Sequence, residues 1–308
     1  MQTHIQSTSF QNGDTWSILS DIELSIKRKV EEAGTPLKNW DVEMYRGVLT
    51  GCNDAFIITS EKRDFILSHC LDETERVRTA EIIRPILRVR DIKRFGYEWA
   101  GQYIIATFPS RQYSIDDYPA LKEYLLSFGI ERLEQTGKEY IINGEKVKAR
   151  KQTNNKWFET QDSISYWDEF SKPKVIYPNM TKFLPFVYDT SGVVTNQKCF
   201  IITGEKLAFL TAFLNSSLFK FCFSDKFPEL QGKTRELSKI FMNEVPVIKV
   251  SDEEEARFLK IISDVQNDIT KEKLLDIDNA IFDLYQLSKE ERELVGFIDY
   301  GDMQSLVR

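Results

Sequence analysis

The sequence predicts an α+β protein: a curved, mixed β-sheet flanked by helices, preceded by a linker helix and followed by a helical tail. Three observations predict it. Short apolar runs closed by Gly, Pro, Asn or Asp recur along residues 40–250, which is strand chemistry. Segments with apolar residues three and four apart fall between them, which is helix chemistry. From Ser251 onward only the helical spacing remains. The expected organisation is therefore a leader and linker helix (1–39), a main domain (40–250) and an acidic helical tail (251–308). A chain of 308 residues is long enough to bury a substantial core.

Residues 20–33 carry Ile22, Ile26 and Val30 on one helical face, with Ser20 or Asp21 as the N-cap and Gly34 with Pro36 as the stop. Residues 48–59 read as two short strands around the turn Thr50-Gly51-Cys52-Asn53-Asp54. Residues 64–83 are charged and read as helix or loop. A strand is expected over 103–108, closed by Pro109, and a helix over 119–133 with Pro119 in its first turn. Asn143-Gly144 marks a hairpin turn. Strands follow at 174–177, 186–188 and 198–203, then one long apolar helix over 205–223 capped by Thr203 or Gly204. A short helix over 235–242 and a strand over 245–250 close the main domain. In the tail, Ser251-Asp252-Glu253-Glu254 opens a helix as a capping box. Further helices follow around Leu274 to Leu284 and from Ser288.

Composition excludes several function classes. No apolar stretch is long enough to span a bilayer, and the polar residues 1–16 lack a signal-peptide core, so a cytoplasmic location is expected. Cys52, Cys70, Cys199 and Cys222 form no CxxC pair and read as free thiols of a reducing compartment. With His4 and His69 as the only histidines, neither a triad nor a zinc site has its usual material. No GxG occurs, so no dinucleotide or glycine-rich cofactor loop is expected, and no Pro-Pro dipeptide occurs. Amino-methyltransferases flip adenine into a pocket made by an Asn/Asp-Pro-Pro-aromatic motif. This chain lacks it. No catalytic, cofactor or metal residue is expected here.

Charge is unevenly distributed. The net charge is −7, yet residues from Ser251 onward hold fifteen acidic and seven basic residues. The preceding body is close to neutral and carries basic clusters. Arg84, Arg88, Arg90, Lys93 and Arg94 surround a single acid, Asp91. Lys146, Lys148, Arg150, Lys151 and Lys156 are interleaved with Gln152, Asn154 and Asn155. Lys172, Lys174 and Lys182 form a third cluster, and Lys233, Arg235 and Lys239 a fourth. Lys and Arg neutralise phosphates, Arg reads guanine edges, and Asn and Gln read adenine edges. Each cluster alone reads equally as a solvated surface; gathered on one face they would bind duplex DNA. Asp91-Ile92-Lys93 also has the Asp-x-Lys form of metal-dependent nucleases, which need a further acid such as Asp72 or Glu81.

The order of motifs resembles one family. Residues 44–58, beginning Met44-Tyr45-Arg46-Gly47-Val48-Leu49-Thr50-Gly51-Cys52-Asn53, resemble the opening motif of the TaqI-like C-terminal specificity domain. Leu87-Arg88-Val89-Arg90-Asp91-Ile92 resembles its Leu-Arg-Gly-Arg-Asp-Ile element, with Val89 in place of Gly. Residues 172–178 and 196–202 are similar to its central strands, 213–218 to its long helix, 244–247 to its closing strand and 277–287 to the helical pair that follows. The resemblance implies the target-recognition part of an adenine-specific DNA methyltransferase or a fused type II restriction-modification enzyme. Its partners would be double-stranded DNA and a methyltransferase domain in cis or trans, with S-adenosylmethionine bound by that domain and none by this chain. The expected DNA contacts are Arg88, Arg90, Lys93 and Arg94; Lys148, Arg150 and Lys151; and Lys172, Lys174 and Lys198. Alternatives are a protein-interaction module working through the acidic tail, or a nuclease built on Asp91 and Lys93.

Overall fold

The computed structural model describes residues 20–182, 185–230 and 234–297. The leader, His4 and Lys233 lie outside them. The α+β class holds, but the strands build several sheets rather than one, the two largest four-stranded and the rest of two or three strands. The first is antiparallel throughout and runs Val187–Asp189, Lys174–Pro178, Cys199–Gly204, Val42–Arg46 in spatial order. The second runs Val194–Thr195, Ile83–Leu87, Gln102–Ile105, Ile57–Thr59. It is mixed, because Val194–Thr195 pairs parallel to Ile83–Leu87 while the other neighbours are antiparallel.

Two expected long helices are each broken, for identifiable reasons. Residues 119–133 form Pro119–Leu126 and Ile130–Leu133, separated at Gly129, whose φ of +82° a helix does not allow. Residues 205–223 form Leu207–Leu214 and Ser217–Phe223. Buried Asn215 interrupts them: its side-chain oxygen accepts from Phe186 N (3.2 Å) and its amide donates to Phe186 O (2.8 Å). Ser216 then caps the second helix by accepting from Phe219 N (3.1 Å). The first of these helices is not capped by Thr203 or Gly204. Its free N–H groups at Ala208 and Phe209 are taken by the Glu255 carboxylate, each at 2.9 Å. Residues 48–59 hold one strand rather than two, because 53–56 coil into a helical turn, Asn53–Phe56.

The change in charge at Ser251 marks no break in packing. Phe258, Ile262 and Val265 of helix Asp252–Asn267 and Ile277, Ile281 and Phe282 of helix Lys271–Leu284 lie in the same core as Phe209, Phe213 and Phe219. The linker helix Asp21–Ala33 belongs to that core through Ile26 and Val30, while Ile22 is left partly in solvent. Strand Gly34–Pro36 pairs with Pro246–Ile248, and Lys29 bonds Glu291 at 2.6 Å in the last described helix, Lys289–Val295. A second core lies between the two sheets, around Ile86, Ile104, Val194 and Ile201. A third, around Phe56, Ile105, Leu121 and Phe158, lies under the 50–54 turn and the 150–160 loop.

Candidate nucleic-acid interface

Residues 46–54 form the spine of the site. Gly47 N donates to Cys199 O (2.8 Å), Val48 N to Thr195 O (2.8 Å) and Gln197 N to Val48 O (2.9 Å). Asn196 N donates to Leu87 O (3.0 Å), so the Arg88 loop and the Lys198 turn meet the same segment. On the other side Leu49 O accepts from Gln161 N (3.1 Å) and Asp162 N (3.2 Å). Gly47 has no room for a side chain, since a Cβ would stand 2.1 Å from Asn196 O. Arg46 pairs with Asp162 at 2.9 Å along this edge.

Arg150 holds the next residues in place, and here the sequence expectation is corrected. Its guanidinium is buried, not presented to DNA. Nε donates to Leu133 O (2.7 Å), Nη1 to Thr50 O (2.9 Å) and Glu159 O (2.7 Å), and Nη2 to Trp157 O (2.6 Å). The charge lies over the Phe56 ring at 5.0 Å, and burial pushes its pKa down to about 10. One cation thus ties together three backbone segments, around Thr50, Leu133 and 157–159. Thr50 in turn fixes the turn: its hydroxyl accepts from Cys52 N (3.2 Å) and donates to Asn53 Oδ1 (2.7 Å). Gly51 sits at φ +76°, with Gln161 Oε1 2.7 Å from any added Cβ.

This scaffold walls a cleft of about 350 Å³ lined by Gly51, Asn53, Asp54, Arg132, Lys148 and Lys151 among others. Lys148 and Lys151 are exposed. Arg132 is half exposed and bonds Asp54 at 2.6 Å. Arg132 and the Asn53–Asp54 corner escaped the sequence reading, because Arg132 stands between Glu131 and Glu134 and forms no basic run. The turn motif at 50–54, read as conformational, is also one wall of the cleft.

The other expected contacts divide. Arg90 is 71% exposed and Lys198 is exposed, both beside the spine. Arg88 and Lys93 are largely covered and face acids: Arg88 lies 3.5 Å from Asp91 and Lys93 3.8 Å from Glu98. Asp91 itself is buried and accepts from Arg88 N (2.8 Å), so it shapes this loop. Among the described residues no three His, Cys, Asp or Glu gather as metal ligands would. Arg94 is corrected: its guanidinium turns inward to donate to Asn215 O, and burial pushes its pKa down to about 10 despite nearby Asp278. Lys174 is also corrected. It is fully buried, donating to Asp189 (2.6 Å) and Phe170 O (2.8 Å), and burial holds its pKa down although Asp189 opposes this. Lys172 pairs with Glu169 at 2.7 Å. It precedes the strand Lys174–Pro178, whose other end, Pro178, pairs with Cys199 beside Lys198. At about 3.3 Å per residue, Lys172 stands roughly 20 Å from the Lys198 corner and does not join it.

The exposed cations Arg90, Lys148, Lys151 and Lys198, with Arg132, therefore border loops that converge on residues 46–54 of an α+β scaffold. That arrangement is of the target-recognition class, a scaffold that carries its chemistry on loops. The chain belongs to the TaqI-like C-terminal specificity domain family, which matches residues 84–247, just over half of the chain. The Type II methyltransferase M.PaeR7I of Pseudomonas aeruginosa is 22% identical over 287 residues, covering 92% of this chain and 45% of the relative. The chain thus spans about half the length of the curated relative it matches. Two solved structures share the fold. The type IIG restriction endonuclease BpuSI has a TM-score of 0.50 at 13% identity, over 79% of this chain and 28% of that one. The type IIL restriction-modification enzyme MmeI, solved in complex with DNA, has a TM-score of 0.53 at 13% identity, over 88% and 37%.

Proposed function

We propose that this chain is the DNA-recognition module of a restriction-modification system. It docks on duplex DNA through the face built on residues 46–54 and presents a target adenine to a methyltransferase domain that lies outside this sequence. That domain binds S-adenosylmethionine; this chain recognises DNA and carries out no chemistry of its own. The observation that carries the reading is the cleft: Lys148, Lys151 and Arg132 converge on a turn held rigid by buried Arg150. Family membership and the likeness to M.PaeR7I support it. Phosphate contacts fix register and loop residues read base edges.

The test is fluorescence anisotropy of the chain on labelled duplex DNA across a salt series. Neutralising phosphates releases counterions, so affinity falls steeply with salt, with a slope of about 0.9 per contact. Replacing Lys148 and Lys151 together by Ala is expected to flatten that slope by about 2. No duplex binding at low salt, or a slope unchanged in the double variant, refutes the reading.

A further inference from the structure

The hairpin of strands Glu139–Ile142 and Glu145–Lys148 contributes to none of the three cores. Its turn is Asn143-Gly144, with φ of +52° and +84°, the two-residue geometry that suits the twist of paired strands. Its base is anchored by backbone bonds: Ala149 N donates to Lys138 O (2.9 Å), Arg150 N to Glu134 O (2.9 Å) and Gly137 N to Arg150 O (2.8 Å). A two-stranded ribbon is marginal by itself, and here the buried Arg150 supplies the rigid base.

The two faces differ. Tyr140 opposes Val147 and Ile142 opposes Glu145; Tyr140 and Val147 are half-buried, and the Tyr140 hydroxyl donates to Glu134 (2.7 Å). On the other face Ile141 opposes Lys146 and Glu139 opposes Lys148, and all four are exposed. Ile141 is 82% exposed, more than any other large apolar residue described. Lone exposed apolar residues are common. This one sits on an exposed ribbon, framed by Lys146 and Lys148 of the partner strand, and that partner strand runs directly into the cleft cations.

We propose that this hairpin enters the major groove of the recognised DNA, and that Ile141 reads the 5-methyl group of a thymine. The inference rests on the DNA-recognition reading and adds a specificity-determining residue to it. The major groove is about 12 Å wide and accepts a two-stranded ribbon. Thymine alone presents a methyl group there, and an apolar side chain is its complement. Lys146 and Lys148 flank Ile141 where phosphates border the groove. Glu139 is neutralised by Lys146 at 2.6 Å. The patch is a single apolar residue among charges, far below the roughly 1,000 Å² that a stable protein interface needs.

The test begins by selecting duplexes that bind the chain from a random-sequence library. Each thymine of the enriched motif is then replaced singly by deoxyuridine, which removes only the methyl group. At one position the wild-type chain is expected to lose about fourfold in affinity, the effect of one buried methyl. Ile141→Ala is expected to bind thymine and uracil equally at that position, and its unchanged circular dichroism shows that it still folds. The inference is overturned if no thymine is sensitive, or if Ile141→Ala keeps the same sensitivity. Failure to enrich any motif overturns the recognition reading itself, so the two failures are distinct.

Discussion

Replacing Arg150 by Met separates a structural arginine from a DNA-contacting one. The side chain makes four hydrogen bonds to backbone carbonyls, three of them buried. At the low end of about 1.5–3 kcal/mol for a bond from a charged donor, their loss costs about 6 kcal/mol. Against this stands relief from keeping a charge in the interior. Its pKa falls from 12.5 to about 10, equivalent to about 3 kcal/mol at about 1.4 kcal/mol per tenfold. Met keeps the contact with Phe56, so the net loss is about 3 kcal/mol. With a urea dependence near 3 kcal/mol per molar, at the upper end for small domains, the unfolding midpoint falls by about 1 M. Lys148→Met, on the exposed strand, changes stability by no more than about 0.5 kcal/mol. Circular dichroism at increasing urea measures both. If Arg150→Met unfolds at the same urea concentration as Lys148→Met but binds duplex DNA less tightly, Arg150 contacts DNA and the cleft is not braced as described.

Further expectations follow from the same geometry. Asp54→Asn frees Arg132 from its ion pair and is expected to tighten duplex binding at low salt and steepen the salt slope by about 0.9, read by anisotropy. Gly51→Ala meets both a left-handed backbone and Gln161; a loss of about 1–3 kcal/mol in urea unfolding, with weaker duplex binding, is expected. Burial pushes the Glu291 carboxyl up, but Lys29, the Ser288 amide and Ser25 outweigh it and hold it below the usual 4.5. Its contribution is full above that unfolded value and disappears as pH falls below about 4.5 through the lower folded one. The stability deficit of Glu291→Gln at pH 7 should therefore shrink on acidification, measured by urea unfolding at each pH.

Apolar periodicity made much of the fold legible. The linker helix, the central strands and the tail helices fall where spacing and caps put them, because side-chain burial decides those elements. The break at Gly129 follows from that residue's own left-handed backbone, whereas the break at Asn215 was not legible, since it depends on a tertiary partner: Asn215 stops a helix only because the Phe186 backbone is beside it. At the site the sequence shows cations but not their direction. Lys148 and Arg150 are two residues apart, yet one is exposed and the other is enclosed by four carbonyls. Lys174 looked like a strand cation, and Asp189, fifteen residues away in sequence, draws it inside. Arg132 was hidden by flanking acids and becomes visible only when the Asn53–Asp54 corner is beside it.

The Lys29–Glu291 contact places the first and last described helices side by side. Both ends of the described segment therefore share one doorway. A module wired this way can be grafted as a cassette, both seams at one point of the host. Seams drawn at residues 40 and 250 would leave behind the aromatic rings and the β-pairing that close that doorway. Seams near 20 and 297 would carry them along.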